Sequence, residues 1–320
     1  MPQVPLKIGV SISVVVPVYN SVETLPALIA RLDPVLRAMA ADFEVILVDD
    51  GSGEETRKAV AALVSAHAWV HSITLMRNYG QHNALLCGIR AARCEITVTI
   101  DDDLQNPPEE IPRLVQRLAE GYDVVYGTPA HQQHDPWRVI ASQVTRFALQ
   151  GVLGADTARH VSAFRAFRTY LRDAFADYRS SFVSIDVLLT WGTGKFSAVP
   201  VRHDSRAAGT SHYTFRMLLR HSLNMMTGFS TVPLQVASLL GFAATVFGLC
   251  VLAVVLGRYL IHGSTVPGFT FLASLITLLS GTQLFAIGVI GEYLARMHFR
   301  MMERPPYAVR GEAAAASYRT

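Results

Sequence analysis

The chain has 320 residues, enough for one large domain or two smaller ones. Hydrophobic residues make up 51% of it and charged residues only 17%, so part of the molecular surface is not expected to face water. The formal net charge of +3 gives no indication of a nucleic-acid partner. The three cysteines form neither a disulfide framework nor a zinc-binding spacing, which is typical of a reducing compartment.

The first 130 residues alternate between strand and helix patterns. Near-continuous apolar strands between amphipathic helices predict an α/β fold, with a parallel sheet covered by helices on both faces. On the first helix, the apolar residues from Leu25 to Leu36 fall on one face. The predicted strands cover 12–20, 43–52, 72–77, 95–103 and 122–127, and the helices cover about 25–36, 56–66, 81–92 and 109–120.

The middle of the chain is less regular. A helix over about 137–153 is followed by a strand over 161–168. Two helices near 169–177 and 182–191 come next, and a last strand over 195–203 leads into the loop DSRAAGTSHY. The segment 214–228 mixes arginine and histidine with large apolar residues, which is typical of a helix lying in a membrane interface.

Two long segments near the C-terminus lack Asp, Glu, Lys and Arg. One lies between Arg220 and Arg258, and the other between Arg258 and Glu292. Each can hold a helix of about 20 residues, as a bilayer core requires, so 232–257 and 269–291 are predicted to span a membrane. A pair of buried core helices is the alternative, although globular helices of this length seldom lack charges.

Charge placement predicts the orientation of these spans. Arginines precede the first span and follow the second, which places both termini in the cytoplasm. The predicted protein is therefore a multi-pass component of the inner (plasma) membrane, with its α/β domain in the cytoplasm. The α/β domain covers 1–212, an interfacial helix 213–230, two transmembrane helices 231–295, and a cytoplasmic tail 296–320.

Three consecutive carboxylates follow the fourth strand in ITVTIDDDLQNPPEEIP. In an extended strand Asp101 and Asp103 share a face, and Asp102 opposes them. Two carboxylates this close repel each other unless a cation lies between them. Oxygen ligands suit Mg²⁺ or Mn²⁺, which take further ligands from water and a phosphate-bearing substrate. A solvated acidic turn is the alternative interpretation.

Two other strands of the predicted sheet also end in polar residues. In VDDGS, Asp50 is placed to accept hydrogen bonds from a base or a ribose, while Asp49 is a candidate turn cap. In PVYN, Pro17 and Tyr19 offer a surface for a nucleobase. Ligands of such sheets bind beyond the carboxyl ends of the strands. Neither a Gly-x-Gly-x-x-Gly after the first strand nor a Gly-Lys-Ser/Thr loop is present, which disfavours dinucleotide and P-loop sites.

Taken together, five segments resemble family 2 glycosyltransferases of the polyprenyl-phosphate sugar synthase type. This group includes the enzymes that make dolichol-phosphate mannose, undecaprenyl-phosphate glucose and undecaprenyl-phosphate aminoarabinose. The resemblance runs from about residue 12 to 308. It implies a GT-A fold with a Rossmann-like, mostly parallel sheet, a nucleotide sugar bound with Mg²⁺ or Mn²⁺, and a lipid phosphate acceptor. The segments are VVVPVYN, VDDGS, RNYGQHNALLCG, DDDLQNPPEEIPRLV and GEYLARMHFRMMERPPY.

The resemblance also assigns roles to residues near the strand ends. The family's metal motif falls on Asp101 and Asp103, with Gln105 nearby as part of the catalytic set. The nucleotide pocket is implied at the remaining positions, of which Glu23 is acidic in many members: Pro17, Tyr19, Glu23, Val48, Asp50 and Asp102.

Contacts to the acceptor phosphate are implied further along the chain. The loop RHDSRAAGTSHY places Arg206 against a phosphate, and Arg165 matches the family's Phe-Arg, with an outward arginine on a packing strand as the alternative. The sequence departs from the family at two positions. His212 replaces a basic residue of that loop, and Pro129 stands where an arginine commonly follows Gly-Thr. Arg138 is a candidate for supplying the missing charge.

The implied reaction is an inverting transfer of a sugar, with a uridine nucleotide donor favoured, to the phosphate of a polyprenyl phosphate such as undecaprenyl phosphate. The relatives also imply a homo-oligomer, with a tetramer as one form. Two alternatives stay open. A processive polysaccharide synthase normally carries a Gln-x-x-Arg-Trp motif and more spans, which this sequence lacks. A non-catalytic membrane component, such as a flippase or scaffold, is the second alternative.

Overall fold

In the computed structural model, residues 9–129, 161–180, 182–204, 232–262, 268–302 and 304–310 are described. They form a sheet with helices on both faces, followed by two long helices. The strands are β1 (Ser11–Val18), β2 (Asp42–Asp49), β3 (Val70–Thr74), β4 (Ile96–Thr99), β5 (Val124–Pro129), β6 (Arg165–Arg168) and β7 (Phe196–Val201). The helices are α1 (Leu25–Met39), α2 (Glu54–Ala66), α3 (Gln81–Ala91), α4 (Ile111–Ala119), α5 (Ile185–Gly192), α6 (Val232–His262) and α7 (Gly268–Met301), with 3₁₀ turns at Pro108–Glu110 and Thr169–Phe175.

The seven described strands lie in the order β3-β2-β1-β4-β6-β5-β7. The prediction of an α/β fold with a mostly parallel sheet is confirmed. β6 is inserted between β4 and β5 and runs antiparallel to both. The other described pairs are parallel. Parallel strands β1, β2 and β4 therefore present their carboxyl ends at one edge, where a ligand is expected.

Side chains alternate between the two faces of the sheet. On one face Val14, Val16 and Val18 pack with α1, whose predicted apolar stripe is fully buried. On the other face Val15 and Val48 pack with α3 and α5. This alternation explains why the strands read as near-continuous apolar runs, because both faces are covered.

Helix α3 docks very closely on the sheet. A Cβ added to Gly88 would lie 2.4 Å from Cγ1 of Val15 and 3.0 Å from Cγ2 of Val48. Only glycine permits this approach, which sets how far α3 stands from the sheet. The start of α3 is thereby held near the carboxyl ends of β1 and β2.

Several predicted strands and helices are longer than the observed ones. β2 ends at Asp49 and β4 at Thr99, so Asp50 and the three consecutive aspartates lie in loops rather than in strands. Asp49 ends its strand as a turn cap, because its Oδ1 accepts a hydrogen bond from the backbone N of Ser52 at 2.8 Å. The predicted helix over 169–177 is a shorter 3₁₀ turn. The predicted helix over 137–153, the loop after 204 and the interfacial helix over 213–230 lie outside the described residues.

The two long helices α6 and α7 pack against each other. Among the described residues, one helix is long and apolar enough to cross a bilayer, and it covers Leu234–Arg258 within α6. The second span, predicted within α7, stays a prediction.

After α7 the chain returns to the edge of the sheet. Val309 forms a bridge with Leu75, directly after β3. The backbone N of Met76 donates to the carbonyl of Ala308, and the N of Arg310 donates to the carbonyl of Thr74. The segment after α7 thus pairs with the end of the edge strand β3, where backbone groups would otherwise lack these partners.

Candidate active site

A cleft of about 360 Å³ opens at the carboxyl ends of β1, β2 and β4, next to the start of α3. Its size lies within the usual range for small-molecule sites. It brings together all three strand ends that the sequence singles out. The lining residues are Pro17, Val18, Tyr19, Asp50, Asn78, Gly80, Gln81, Asp101, Asp102 and Asp103.

Asp50 organises one side of the cleft. Its Oδ1 accepts a hydrogen bond from the backbone N of Tyr79 at 2.7 Å, and its Oδ2 accepts one from the N of Gly80 at 2.8 Å. Burial raises the pKa of Asp50, although these two hydrogen bonds oppose the effect. The carboxylate therefore fixes the turn before α3, on one side of the cleft that Asp50 lines.

The glycine that follows Asp50 is required by the backbone. Gly51 has a φ of +74°, and an added Cβ would lie 2.4 Å from the carbonyl carbon of Arg77. The loop over 51–53 and the loop over 77–80 are thus in close contact. Because the second loop lines the cleft, its position depends on a residue without a side chain.

The acidic loop forms the opposite side. Burial, with the charges of Asp103 and Asp102, raises the pKa of Asp101 to about 7. Burial is also the main cause that raises the pKa of Asp102 to about 6. Oδ2 of Asp102 is buried and has no hydrogen-bond partner among the described residues. Three neighbouring carboxylates therefore meet on this side of the cleft, and the charges of Asp102 and Asp103 contribute to the raised pKa of Asp101.

These features fit a divalent cation. Hard cations such as Mg²⁺ and Mn²⁺ prefer carboxylate oxygens, and a cation would relieve the repulsion between Asp101 and Asp103. No three His, Cys, Asp or Glu side chains among the described residues are arranged to hold a metal by themselves. Two carboxylates would then leave the other ligand positions to water and to a phosphate-bearing substrate, as is usual for Mg²⁺.

The remaining candidates for nucleotide contact are placed differently. Tyr19 is 52% exposed at the cleft, so its ring is accessible to a base. The side chain of Val48 is fully buried against α3, which corrects the expectation that it contacts a nucleotide. Glu23 is exposed before α1 and does not line the cleft. The backbone of Gln105 joins the acidic loop to Asp204, because its carbonyl accepts from the N of Asp204 at 2.8 Å.

Arg165 does not face outward, so the alternative of an outward arginine on a packing strand is wrong. It is 1% exposed and forms an ion pair with Asp186, whose Oδ1 also accepts a hydrogen bond from the hydroxyl of Tyr126 at 3.1 Å. The positive charge of Arg165 lowers the pKa of Asp101 and so opposes the causes that raise it. A buried guanidinium paired with a carboxylate is not presented to an acceptor phosphate, which corrects the expected contact.

The other predicted phosphate contacts cannot be placed. Arg138, Arg206 and His212 lie outside the described residues, while Pro129 is the exposed last residue of β5. The sequence also left unassigned the cleft residues Asn78, Gly80 and Gln81. Their position directly after the third predicted strand was the available signal, because residues there reach the same edge of the sheet.

The comparisons with known proteins decide the family. The model for glycosyl transferase family 2 matches residues 13–179. The chain belongs to this family.

Curated relatives match almost the whole chain. It is 33% identical over 310 residues to the undecaprenyl-phosphate 4-deoxy-4-formamido-L-arabinose transferase of Pectobacterium carotovorum subsp. carotovorum (strain PC1), covering 96% of this chain and 95% of that protein. It is 36% identical over 302 residues to the enzyme of the same name from Enterobacter sp. (strain 638), covering 93% of this chain and 92% of that protein. As a family 2 member, the chain is a glycosyltransferase.

Solved structures confirm the GT-A fold. Glucosyl-3-phosphoglycerate synthase from Mycobacterium tuberculosis, in complex with Mn²⁺, uridine diphosphate and glucosyl-3-phosphoglycerate, matches with a TM-score of 0.53 and 22% identity. The match covers 69% of this chain and 79% of that one. The same enzyme with Mn²⁺, UDP-glucose and phosphoglyceric acid also gives a TM-score of 0.53, at 19% identity.

Proposed function

We propose that this glycosyltransferase transfers a sugar, with inversion, from a nucleotide sugar to the phosphate of a membrane polyprenyl phosphate such as undecaprenyl phosphate. The observation that supports this proposal most strongly is the cleft, which brings Tyr19 and Asp50 together with Asp101, Asp102 and Asp103. The names of the curated relatives support a polyprenyl-phosphate acceptor. The UDP complexes of the structural relatives favour a uridine donor.

The nucleotide would bind across the strand ends. The exposed ring of Tyr19 and the edge of Pro17 offer a surface for the base. Asp50 accepts hydrogen bonds through both carboxylate oxygens and holds the turn that forms the cleft wall. The diphosphate would then lie toward the acidic loop, where Asp101 and Asp103 would hold Mg²⁺ or Mn²⁺. Such a cation neutralises the charge that develops on a departing diphosphate.

The acceptor needs little acid–base help from the chain. The second pKa of a phosphate monoester is about 6, so the group is largely a dianion at neutral pH and can act as the nucleophile. The chain's task is to hold it in line behind the sugar carbon, an effect worth roughly 7–11 kcal/mol. Arg206 and His212, with Arg138 as a further candidate, are the proposed phosphate contacts. A single displacement inverts the configuration at the sugar carbon.

The membrane arrangement follows from the same chemistry. A lipid phosphate is tethered at the headgroup level, so the cleft must lie close to the bilayer. Helix α6 is apolar enough to span it, and α7 packs beside it. We therefore propose a multi-pass, homo-oligomeric enzyme of the inner membrane, with the α/β domain and both termini in the cytoplasm.

A substrate panel tests the proposal. The full chain in nanodiscs is given Mn²⁺, a short polyprenyl phosphate and one of several radiolabelled nucleotide sugars, and lipid products are analysed by mass spectrometry. One donor is expected to yield a monoglycosylated lipid phosphate and a stoichiometric amount of nucleoside diphosphate. Asp101→Asn and Asp103→Asn should abolish the product, whereas Glu55→Gln, an exposed carboxylate on α2, should not. A polymeric sugar product, or no product with any donor, would contradict the proposal.

A further inference from the structure

The turn at the start of α3 contacts both sides of the cleft. The backbone N atoms of Tyr79 and Gly80 donate to the carboxylate of Asp50, on the nucleotide side. Nε2 of Gln81 donates to Oδ1 of Asp101, on the acidic side, at 2.5 Å. Residues 79–81 therefore link Asp50, which follows β2, to Asp101, which follows β4.

This turn is held rigidly from the helix side as well. Nδ2 of Asn83 donates to the carbonyl of Tyr79 at 2.7 Å, which closes the turn. The residues from Ala84 to Ile89 are buried, and Gly88 allows the helix to lie directly on Val15. The side chain of Gln81 consequently starts from a fixed point, although the residue itself is exposed.

The geometry points to Gln81 as a positioning residue that orients the carboxylate of Asp101 for a divalent cation. This inference rests on the proposed function, since it needs a cation at Asp101 and Asp103. The amide engages Oδ1 and would leave Oδ2 available to a cation. An amide suits this task because it donates a hydrogen bond without bringing a positive charge that would repel the cation.

The expected size of the effect comes from groups in other proteins that hydrogen-bond to a metal ligand. Groups that hydrogen-bond to a metal ligand fix its orientation, and losing one typically weakens metal binding or activity about 10- to 100-fold. The hydrogen bond of Gln81 goes to a carboxylate in an acidic loop and holds one of its two oxygens. Its removal should therefore weaken cation binding much more than it weakens the fold.

The test measures metal binding without catalysis. Mn²⁺ is titrated into the full-length protein at pH 8, alone and with UDP, and free Mn²⁺ is followed by electron paramagnetic resonance. Gln81→Met removes the donor but keeps the length of the side chain, and we expect its dissociation constant for Mn²⁺ to rise about 10-fold or more. Gln81→His keeps an N–H at a similar reach and should lose less. Gln116→Met, at an exposed position on α4, is the matched control and should bind as the wild type does.

The enzyme assay adds a second readout. In Gln81→Met the apparent activity should recover as Mn²⁺ is raised, while KM for the polyprenyl phosphate and the thermal midpoint of the metal-free protein stay unchanged. Wild-type Mn²⁺ affinity in Gln81→Met, or equal losses in the Met and His variants, would overturn the inference. Asp101→Asn separates the two levels of the argument. If it too binds Mn²⁺ normally, the proposed metal site fails, whereas failure of Gln81 alone leaves that site standing.

Discussion

Arg165 and Asp186 form an ion pair in the protein interior, with side chains that are only 2% and 8% exposed. The guanidinium also lies 5.9 Å from the ring centroid of Tyr126. Arg165 pairs in the sheet with Thr99, two residues before the acidic loop. The buried pair thus joins β6 to α5, and β6 itself pairs with β4, the strand that leads into the acidic loop.

Breaking this pair should destabilise the protein. Arg165→Met leaves the carboxylate of Asp186 buried without its cation, which typically costs about 3–5 kcal/mol. The double variant Arg165→Met, Asp186→Leu removes both charges and should regain most of that stability. Thermal and urea unfolding in detergent, followed by tryptophan fluorescence, measure the difference. If Arg165→Met were as stable as the wild type but had a raised KM for the lipid phosphate, Arg165 would be a phosphate contact after all.

The orientation of the Arg165 side chain could not be predicted from the local sequence. The motif predicted a strand at this position, and β6 is present, but its antiparallel insertion between β4 and β5 depends on contacts between distant segments. The partner Asp186 lies 21 residues further along, on α5. No local pattern shows that these two charges meet, so the sequence left open a phosphate contact and an outward arginine for Arg165.

Other features were within reach of the sequence because their causes are local. The apolar face of α1 follows from residue spacing, and the gathering of polar strand ends follows from parallel strands in one sheet. The role of Gln81 was not accessible in this way. It depends on how closely α3 approaches the sheet, which Gly88 decides through contacts with Val15 and Val48.

Metal removal should stop the reaction and also reduce ligand-dependent stability. With EDTA in excess, we expect transfer to fall to background and to return when Mn²⁺ is added back. A ligand that binds only the folded state raises its stability, by about 2.7 kcal/mol at 100 times its Kd. UDP with Mn²⁺ should therefore raise the thermal midpoint of the wild type, but not that of Asp103→Asn. Full transfer activity in excess chelator would contradict the assignment of Asp101 and Asp103.

Gly51→Ala should damage the cleft through the backbone. The left-handed φ of +74° costs a residue with a Cβ about 1–2 kcal/mol, and the new atom would lie 2.6 Å from the N of Asn78. The loop over 77–80 must then move, so we expect UDP binding in the presence of Mn²⁺ to weaken about 10-fold, as measured by calorimetry. Gly53→Ala is the control, because its φ is −65° and its added Cβ would be 3.8 Å from Oδ1 of Asn20. Equal UDP affinities in the two variants would show that the contact with Asn78 does not shape the cleft.

Glu44 should make the stability of the α/β domain depend on pH. It is buried at 4% exposure, and its carboxylate accepts hydrogen bonds from the hydroxyl of Ser13 at 2.7 Å and from the backbone N of Arg93 at 2.8 Å. The guanidinium of Arg93 adds an ion pair at 2.7 Å. Burial disfavours the charged form, but these hydrogen bonds and the charge of Arg93 outweigh it, so the pKa of Glu44 lies below its ordinary value of 4.5.

The sign of the effect follows from this lowered pKa. The unfolded chain binds a proton at Glu44 more readily than the folded protein does, so the stabilisation is fully present above pH 4.5 and is lost as the pH falls through the lower folded pKa. At pH 7, Glu44→Gln should be less stable than the wild type by about 1.5–3 kcal/mol, the usual range for a hydrogen bond to a charged group. This difference in unfolding free energy should narrow below pH 4.5 in urea unfolding experiments.

Glu54→Gln is the control, because it removes a surface pair with Lys58. The two side chains are 70% and 75% exposed, so this variant should differ from the wild type by less than about 1 kcal/mol at either pH. A gap for Glu44→Gln that stays constant down to pH 3 would mean that its charge does not stabilise the fold.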